Sequence, residues 1–155
     1  MLIRPMKQEE YFLMEEFLYQ AIFVPEGAKQ PDRAILQLPE LQHYFSDFGT
    51  KAGDVAWVAE VDGQVVGVAW VRHIRDYGYV DDQTPSLSIA LLDGYRGQGL
   101  GSRLLQALFA DLKSRQIQRL SLSVSKENPA HFLYRKLGFR ILRENETDFV
   151  MVLEL

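Results

Sequence analysis

The sequence Asp-Gly-Tyr-Arg-Gly-Gln-Gly-Leu-Gly-Ser-Arg occupies residues 93–103 and contains four glycines. It follows an apolar stretch, residues 86–92, that is typical of a strand, and it leads into residues 100–112, whose leucines recur at helical spacing. Glycines let successive backbone amides point into one concavity, and the free amides of a helix's first turn favour an anion. The stretch predicts a turn from strand to helix that binds a pyrophosphate, with Arg96 and Arg103 close enough to neutralise charge.

The same glycine-rich turn has other possible functions. The turn lacks the Lys-Ser/Thr pair of a Walker A loop, so nucleotide hydrolysis is not indicated. Its glycines at 97, 99 and 101 also miss the Gly-x-Gly-x-x-Gly spacing of a dinucleotide site. A tight turn without a ligand, or a site for another phosphorylated ligand, stays open at this point.

The rest of the chain predicts the element order β-α-α-β-β-β-α-β-α-β-β, an α+β domain with a mixed sheet. Asp62-Gly63 joins two Val-rich runs, residues 54–61 and 64–74, and predicts a tight hairpin because its turn needs positive φ at both positions. The other predicted strands are residues 2–4, 86–92, 120–125, 139–143 and 149–153. The predicted helices are residues 9–23, 39–48, 100–112 and 128–137.

Composition limits the classes of function. The 155 residues suit one domain, and the net charge of −4 gives no overall support to nucleic-acid or membrane binding. The chain has no cysteine, which excludes thiol nucleophiles, disulfides and cysteine-ligated metals, and its three histidines are scattered. It lacks the apolar runs of a membrane span or a secretory signal, so we expect a soluble, cytoplasmic protein.

Two motifs carry a family resemblance. Arg96-Gly97-Gln98-Gly99-Leu100-Gly101 resembles the acyl-CoA-binding signature of the GNAT superfamily of N-acetyltransferases, and the stretch from Asn128 to Phe139 resembles the same family's second signature. The resemblance implies a three-layer α/β-type arrangement: a mixed, mostly antiparallel twisted sheet flanked by helices, with splayed parallel central strands. Residues 1–155 would then form a single acyltransferase domain.

The resemblance also implies the cofactor contacts. Acetyl-CoA, or another acyl-CoA, would be the co-substrate, with no metal. The strand before the turn would hold the pantetheine arm and polarise the thioester carbonyl through its backbone, and the turn would hold the pyrophosphate; these residues are Ile89, Ala90, Leu91, Arg96, Gly97, Gln98, Gly99, Leu100, Gly101 and Ser102. Asn128 would contact the pantetheine side, although a helix N-cap explains it equally well.

By the same resemblance, Tyr134 would be the general acid that protonates the leaving thiolate; on its helical spacing alone it would be a core aromatic. The general base is unassigned, because the two strands that often supply a glutamate contain none. A water held by Ser88 or Ser123 is one alternative. A carboxylate from elsewhere is the other, with these candidates: Glu26, Glu60, Asp81 and Asp82.

The expected acceptor pocket contains aromatic and charged residues from the first helices and from the segment before the glycine-bearing strand: Phe23, Glu26, Trp70, Arg72 and Tyr79. Such a pocket suits a small amphipathic amine, although core packing explains Phe23 and Trp70 equally well. The predicted function is direct transfer of an acetyl group from CoA to a primary amine of a small molecule or peptide. The alternative is a non-catalytic acyl-CoA-binding or regulatory module. A homodimer is common in similar proteins.

Overall fold

A seven-stranded sheet organises the computed structural model, which describes residues 1–155. Its strands lie in the order β1-β2-β3-β4-β5-β7-β6. In chain order they are β1 (Leu2–Pro5), β2 (Val55–Val61), β3 (Gln64–Arg72), β4 (Ser86–Leu91), β5 (Arg119–Ser125), β6 (Arg140–Glu144) and β7 (Asp148–Glu154). The helices are α1 (Met14–Ala21), α2 (Pro39–Gln42), α3 (Leu100–Ser114) and α4 (Ala130–Lys136), with 3-10 segments at Gln8–Leu13 and Arg33–Gln37. The α+β class and the element order are confirmed.

One pair of neighbouring strands, β4 and β5, is parallel, and the two strands are paired at a single position. Strand β4 pairs along its length with β3, from Gly67↔Leu91 to Arg72↔Ser86, whereas its register with β5 is limited to Ser86↔Ser121. All other neighbouring strands are antiparallel. The two central strands therefore diverge from a closed end at Ser86, and the edge of β4 that faces β5 lies open beyond it.

Helices cover both faces of the sheet because each carries one apolar stripe. The leucines of α3 at 104, 105, 108 and 112 are fully buried against strands β2 to β5 and β7. On the opposite face, Met14, Phe17 and Leu18 of α1 pack with residues of β2, β3 and β4. This arrangement places α1 over β4, with α4 lying close to the end of β5.

The hairpin turn between β2 and β3 agrees with the prediction, whereas the end of helix α2 differs from it. Asp62 and Gly63 both have positive φ, at 51° and 79°, which confirms the tight turn. The helix expected over residues 39–48 ends at Gln42 instead. Beyond it, the carbonyls of His43 and Asp47 accept hydrogen bonds from Arg72, and that of Tyr44 accepts one from Trp70. These carbonyls are turned toward strand β3 and do not continue a helical ladder.

No helix of the structure is long and apolar enough to span a bilayer.

Candidate active site

The glycine turn between β4 and α3 borders open space. Gly97 and Gly99 have φ of 74° and 78°, a left-handed conformation that disfavours side chains, and a Cβ on either would meet no atom within 4 Å. Glycine is therefore favoured at these two positions by the backbone conformation, and not by a lack of space for a side chain. The first-turn bond of α3 runs from the Arg103 amide to the Gly99 carbonyl, so the amides just before Arg103 have no helical acceptor.

Two side chains of the turn, Arg96 and Gln98, form hydrogen bonds that stabilise its conformation. The Arg96 guanidinium donates to the carbonyls of Leu91 and Gln20, and so ties the turn to β4 and to α1. The Gln98 amide donates to the carbonyl of Gly94 at 2.8 Å. These three bonds hold the turn together and against β4 and α1.

Two cavities meet in the opening between β4 and β5. The loop-side cavity, about 440 Å³, reaches the glycine turn and contains Ile89, Ala90, Leu91, Arg96 and Gly101 in its wall. The closed-end cavity, about 500 Å³, lies deeper between the strands and contains Ser88 and Ser123. Both cavities share a short stretch of wall: Ala21, Ile22, Phe23, Ile89, Asn128 and Tyr134.

Tyr134 lies on that shared wall. Its ring packs against Phe139, with centroids 5.8 Å apart, and its hydroxyl donates no hydrogen bond to the protein. Burial raises the pKa of Tyr134 to about 12, because the phenolate would be poorly solvated there. The phenol therefore carries its proton at neutral pH and is free to donate it into the space between the cavities.

Asn128 occupies the shared wall and also stabilises the start of α4. Its Oδ1 accepts a hydrogen bond from the amide of Ala130, the first residue of α4, at 2.9 Å, although Pro129 and not Asn128 occupies the N-cap position itself. The two roles suggested by the sequence are compatible, because the bond that fixes α4 also holds this side chain between the cavities.

Two residues of the expected acceptor pocket are core residues. Trp70 and Arg72 are each 1% exposed and line neither cavity. Arg72 forms an ion pair with Asp54 at 3.1 Å, and its other nitrogens bind two carbonyls of the segment after α2. The guanidinium is therefore fully used within the protein, and the idea that it meets a substrate carboxylate is corrected.

Four further candidates, Glu26, Tyr79, Asp81 and Asp82, also lie apart from the shared wall. Glu26 is exposed and lines neither cavity. Asp81 is bound by Arg119 at 2.6 Å, and Tyr79 donates to Asp82. The structure thus brings Phe23, Ser88 and Ser123 together with Tyr134. It places the four carboxylate and tyrosine candidates above away from Tyr134.

Asp76 is the site residue that sequence reasoning missed. It lies in the segment between β3 and β4 and lines the closed-end cavity. Its Oδ2 accepts hydrogen bonds from the hydroxyls of Tyr44 and Ser86, at 2.9 and 2.5 Å. No local pattern marks this aspartate, because its two partners come from distant parts of the chain.

No group of three or more His, Asp or Glu side chains with metal-binding geometry is present.

Comparison with known proteins assigns the family. The profile described as Acetyltransferase (GNAT) family matches residues 16–139, which include both cavities' shared wall and the glycine turn. The chain belongs to the GNAT acetyltransferase family. The mostly antiparallel sheet with one splayed parallel pair is the GNAT fold.

Individual GNAT relatives agree with this assignment. A Haemophilus influenzae ribosomal protein bS18-alanine N-acetyltransferase is 36% identical over 87 residues, 56% of this chain and 52% of the relative. A Sulfurisphaera tokodaii N-alpha-acetyltransferase is 39% identical over 128 residues, 73% of this chain and 75% of the relative. The match therefore spans about half the length of the first relative and three quarters of the second.

A solved GNAT structure shares the whole fold. The PaiA N-acetyltransferase of Thermoplasma acidophilum, determined in complex with coenzyme A, superposes with a TM-score of 0.70. The superposition covers 100% of both chains at 17% sequence identity.

Proposed function

We propose that residues 1–155 form a single acyltransferase domain that moves an acetyl group from acetyl-CoA directly to a primary amine. The observation that carries this proposal is the position of Tyr134, a protonated phenol on the wall that the loop-side cavity, which reaches the glycine turn, shares with the closed-end cavity. That position suits a group that meets the sulfur where the cofactor and the acceptor come together.

The loop-side cavity would bind the cofactor. Amides from Gly97 to Ser102 would hold the pyrophosphate at the start of α3, with the positive end of the helix dipole behind them. The pantetheine arm would lie along the open edge of β4 at Ile89, Ala90 and Leu91, where no protein strand is paired. Asn128 would contact the arm from the opposite side.

The chemistry needs few groups from the protein. The acceptor, which binds as an ammonium ion, first loses one proton to solvent; the neutral nitrogen then attacks the thioester carbonyl carbon, and a C–N bond forms. As the tetrahedral intermediate collapses, the C–S bond breaks and its electron pair takes the proton of the Tyr134 hydroxyl. The nitrogen releases its extra proton to water held near Ser88 and Ser123, and the phenolate regains a proton from solvent. No side chain is required as a covalent carrier of the acetyl group.

The acceptor would enter the closed-end cavity. Its wall is mostly apolar, with Phe23 from the segment after α1, and this suits an amine attached to an apolar group. The curated relatives named above are acetyltransferases of α-amines, or of an alanine in a ribosomal protein. They favour a peptide α-amine over the amine of an unrelated small molecule.

Thermal unfolding tests the cofactor part of the proposal. CoA and acetyl-CoA should raise the Tm, whereas NAD and ATP at equal concentration should not; ligand at 100 times its Kd adds about 2.7 kcal/mol to the free energy of unfolding. Equal stabilisation by ATP would point to a general phosphate site and would overturn the assignment of the cofactor.

Release of free thiol from acetyl-CoA tests the transfer itself. A panel of amines, amino acid amides and short peptides should give turnover with at least one acceptor, and mass spectrometry should find the acetylated amine. Stabilisation by CoA without turnover on the panel would instead favour a non-catalytic acyl-CoA-binding module, an idea prompted by the absence of a carboxylate from β4 and β5.

A further inference from the structure

Charge in the closed-end cavity is unbalanced. Its wall contains two carboxylates, Asp76 and Asp148, and no lysine or arginine. In contrast, the aspartates at 54, 81, 82 and 111 each form an ion pair with an arginine. Asp76 forms no ion pair, and its charge is therefore uncompensated within the protein.

The environment of Asp76 makes that charge effective. Its Oδ2 is held by two hydroxyls, while its Oδ1 is shielded from solvent and has no hydrogen-bond partner. Charges that are withdrawn from water act over longer distances, because the effective dielectric constant is lower. A carboxylate in this state favours a positive charge that enters the same cavity.

Nearby bases do not neutralise Asp76. Burial lowers the pKa of His43, so this imidazole is uncharged at neutral pH even though Asp76 acts in the opposite direction. Arg75, the neighbour of Asp76 in the sequence, pairs with Asp82 outside the cavity. Arg72 is committed to Asp54 and to backbone carbonyls.

The carboxylate is also held in place by the backbone around it. The Tyr79 amide donates to the Asp76 carbonyl and closes a turn at 3.2 Å. Gly78 within that turn lies so close to β5 that a Cβ would be 2.9 Å from the carbonyl carbon of Leu122. Strand β5 therefore fixes the segment that carries Asp76, and the charge keeps a constant position at the closed end.

We propose that Asp76 selects the acceptor by charge: it favours a cationic amine and excludes an amine that carries a free carboxylate. A peptide N-terminus or an amino acid amide satisfies this condition, whereas a free amino acid does not, because no basic side chain of the cavity can pair with its carboxylate. Asp76 is a specificity-determining residue of the closed-end cavity. This inference rests on the proposed function, since it concerns the acceptor of that reaction.

Binding of leucinamide and leucine tests the proposal, because the two share a side chain that suits the apolar wall and differ in the carboxylate. Titrations are made by calorimetry on the protein saturated with CoA, so that they do not depend on turnover. Leucinamide should bind at least 10-fold more tightly than leucine. Because Asp148 stays in the wall, Asp76→Asn should reduce the selectivity without abolishing it: leucinamide binding should weaken about 10-fold or more and the leucinamide-to-leucine affinity ratio should fall, with CoA binding unchanged.

Asp81→Asn is the matched control, since it removes a carboxylate from the same segment, outside the closed-end cavity, and its partner Arg119 keeps Glu154 within 4.0 Å. It should leave the leucinamide-to-leucine ratio as in the wild type. Equal binding of leucine and leucinamide by the wild type, or an unchanged ratio in Asp76→Asn, overturns the selection by charge. If the wild type did not bind CoA, the proposed function would be overturned instead. If it bound leucinamide selectively but released no thiol, the catalytic part of the proposed function would be overturned and the selection by charge would stand.

Discussion

The two cavities are built in different ways. The loop-side cavity is lined mainly by two continuous stretches, residues 19–30 and 89–101, and the second contains the glycine turn whose backbone amides would hold the pyrophosphate. The closed-end cavity draws on α1, the segment after α2, the segment between β3 and β4, and strands β4 and β5. A cofactor site of the first kind can be carried by a short motif, whereas an acceptor site of the second kind changes with any of its contributing segments.

Tyr134 lies on the wall that both cavities share, and Tyr134→Phe should have the largest effect on activity. Loss of the general acid should lower kcat by about 10²–10⁴-fold, because the thiolate would leave without a proton donor. Thiol release at saturating acetyl-CoA and acceptor measures this change. The ring still packs on Phe139, so the Tm increase caused by CoA should match that of the wild type.

An undiminished kcat in Tyr134→Phe, measured where chemistry limits the rate, would remove Tyr134 from the mechanism. Slow product release can hide the effect, and a pre-steady-state burst of thiol identifies that situation.

Gly78→Ala should disturb the closed-end cavity selectively. The added methyl would meet the backbone of β5 at 2.9 Å, so the segment that carries Asp76 must shift. We expect a loss of about 1–3 kcal/mol in the free energy of unfolding and a raised KM for the acceptor, with the KM for acetyl-CoA little changed. Denaturant unfolding and two-substrate kinetics measure these quantities.

Gly101→Ala is its counterpart in the loop-side cavity. Here the methyl would lie 3.5 Å from Leu91, an ordinary contact, so stability should not fall. If Gly101→Ala destabilised the protein more than Gly78→Ala, the packing around Gly78 would not be the tighter of the two.

Gly99→Ala should disturb the loop-side cavity selectively and by a smaller amount. The left-handed φ of 78° costs a residue with a side chain about 1–2 kcal/mol, which distorts the turn or destabilises the fold. The KM for acetyl-CoA should rise, whereas the acceptor KM should hold. Gly63→Ala, with φ of 79° in the distant hairpin, imposes the same strain and should leave both KM values unchanged.

The fall in stability at alkaline pH tests the state of the Tyr134 phenol in the folded protein. The pKa of folded Tyr134, about 12, lies above the value of about 10 in an unfolded chain. Below pH 10 both states keep the proton; between pH 10 and 12 only the unfolded state loses it, so stability falls as pH rises. In Tyr134→Phe the decrease in Tm across this range should be shallower, and an equally steep decrease would show that the folded phenol ionises normally.

The sequence could predict what neighbouring residues determine. The Asp62-Gly63 hairpin, the hydrogen bond of Asn128 at the start of α4 and the strand–turn–helix at the glycines each depend on a few adjacent residues, and the structure contains all three. Family resemblance added the splayed strands, which no single segment encodes.

Long-range contacts decided the rest. Helix α2 is shorter than its pattern indicates because carbonyls beyond Gln42 bind Arg72 and Trp70, which are almost thirty positions away. The same contacts remove these two side chains from the acceptor pocket. What distinguishes Asp76 from Asp81 and Asp82 is the pair of hydrogen bonds that its carboxylate accepts from Tyr44 and Ser86. Nothing in the sequence of its own segment indicates these bonds.

The single register pair between β4 and β5 divides the sheet into two half-sheets, β1 to β4 and β5 to β7, joined at one rung. A strand-like ligand laid along the open edge of β4 would complete the seam between them. The sheet thus has a gap the width of one strand between β4 and β5, and an extended substrate would occupy that gap. Cofactor occupancy should therefore make the two halves unfold more nearly as one cooperative unit.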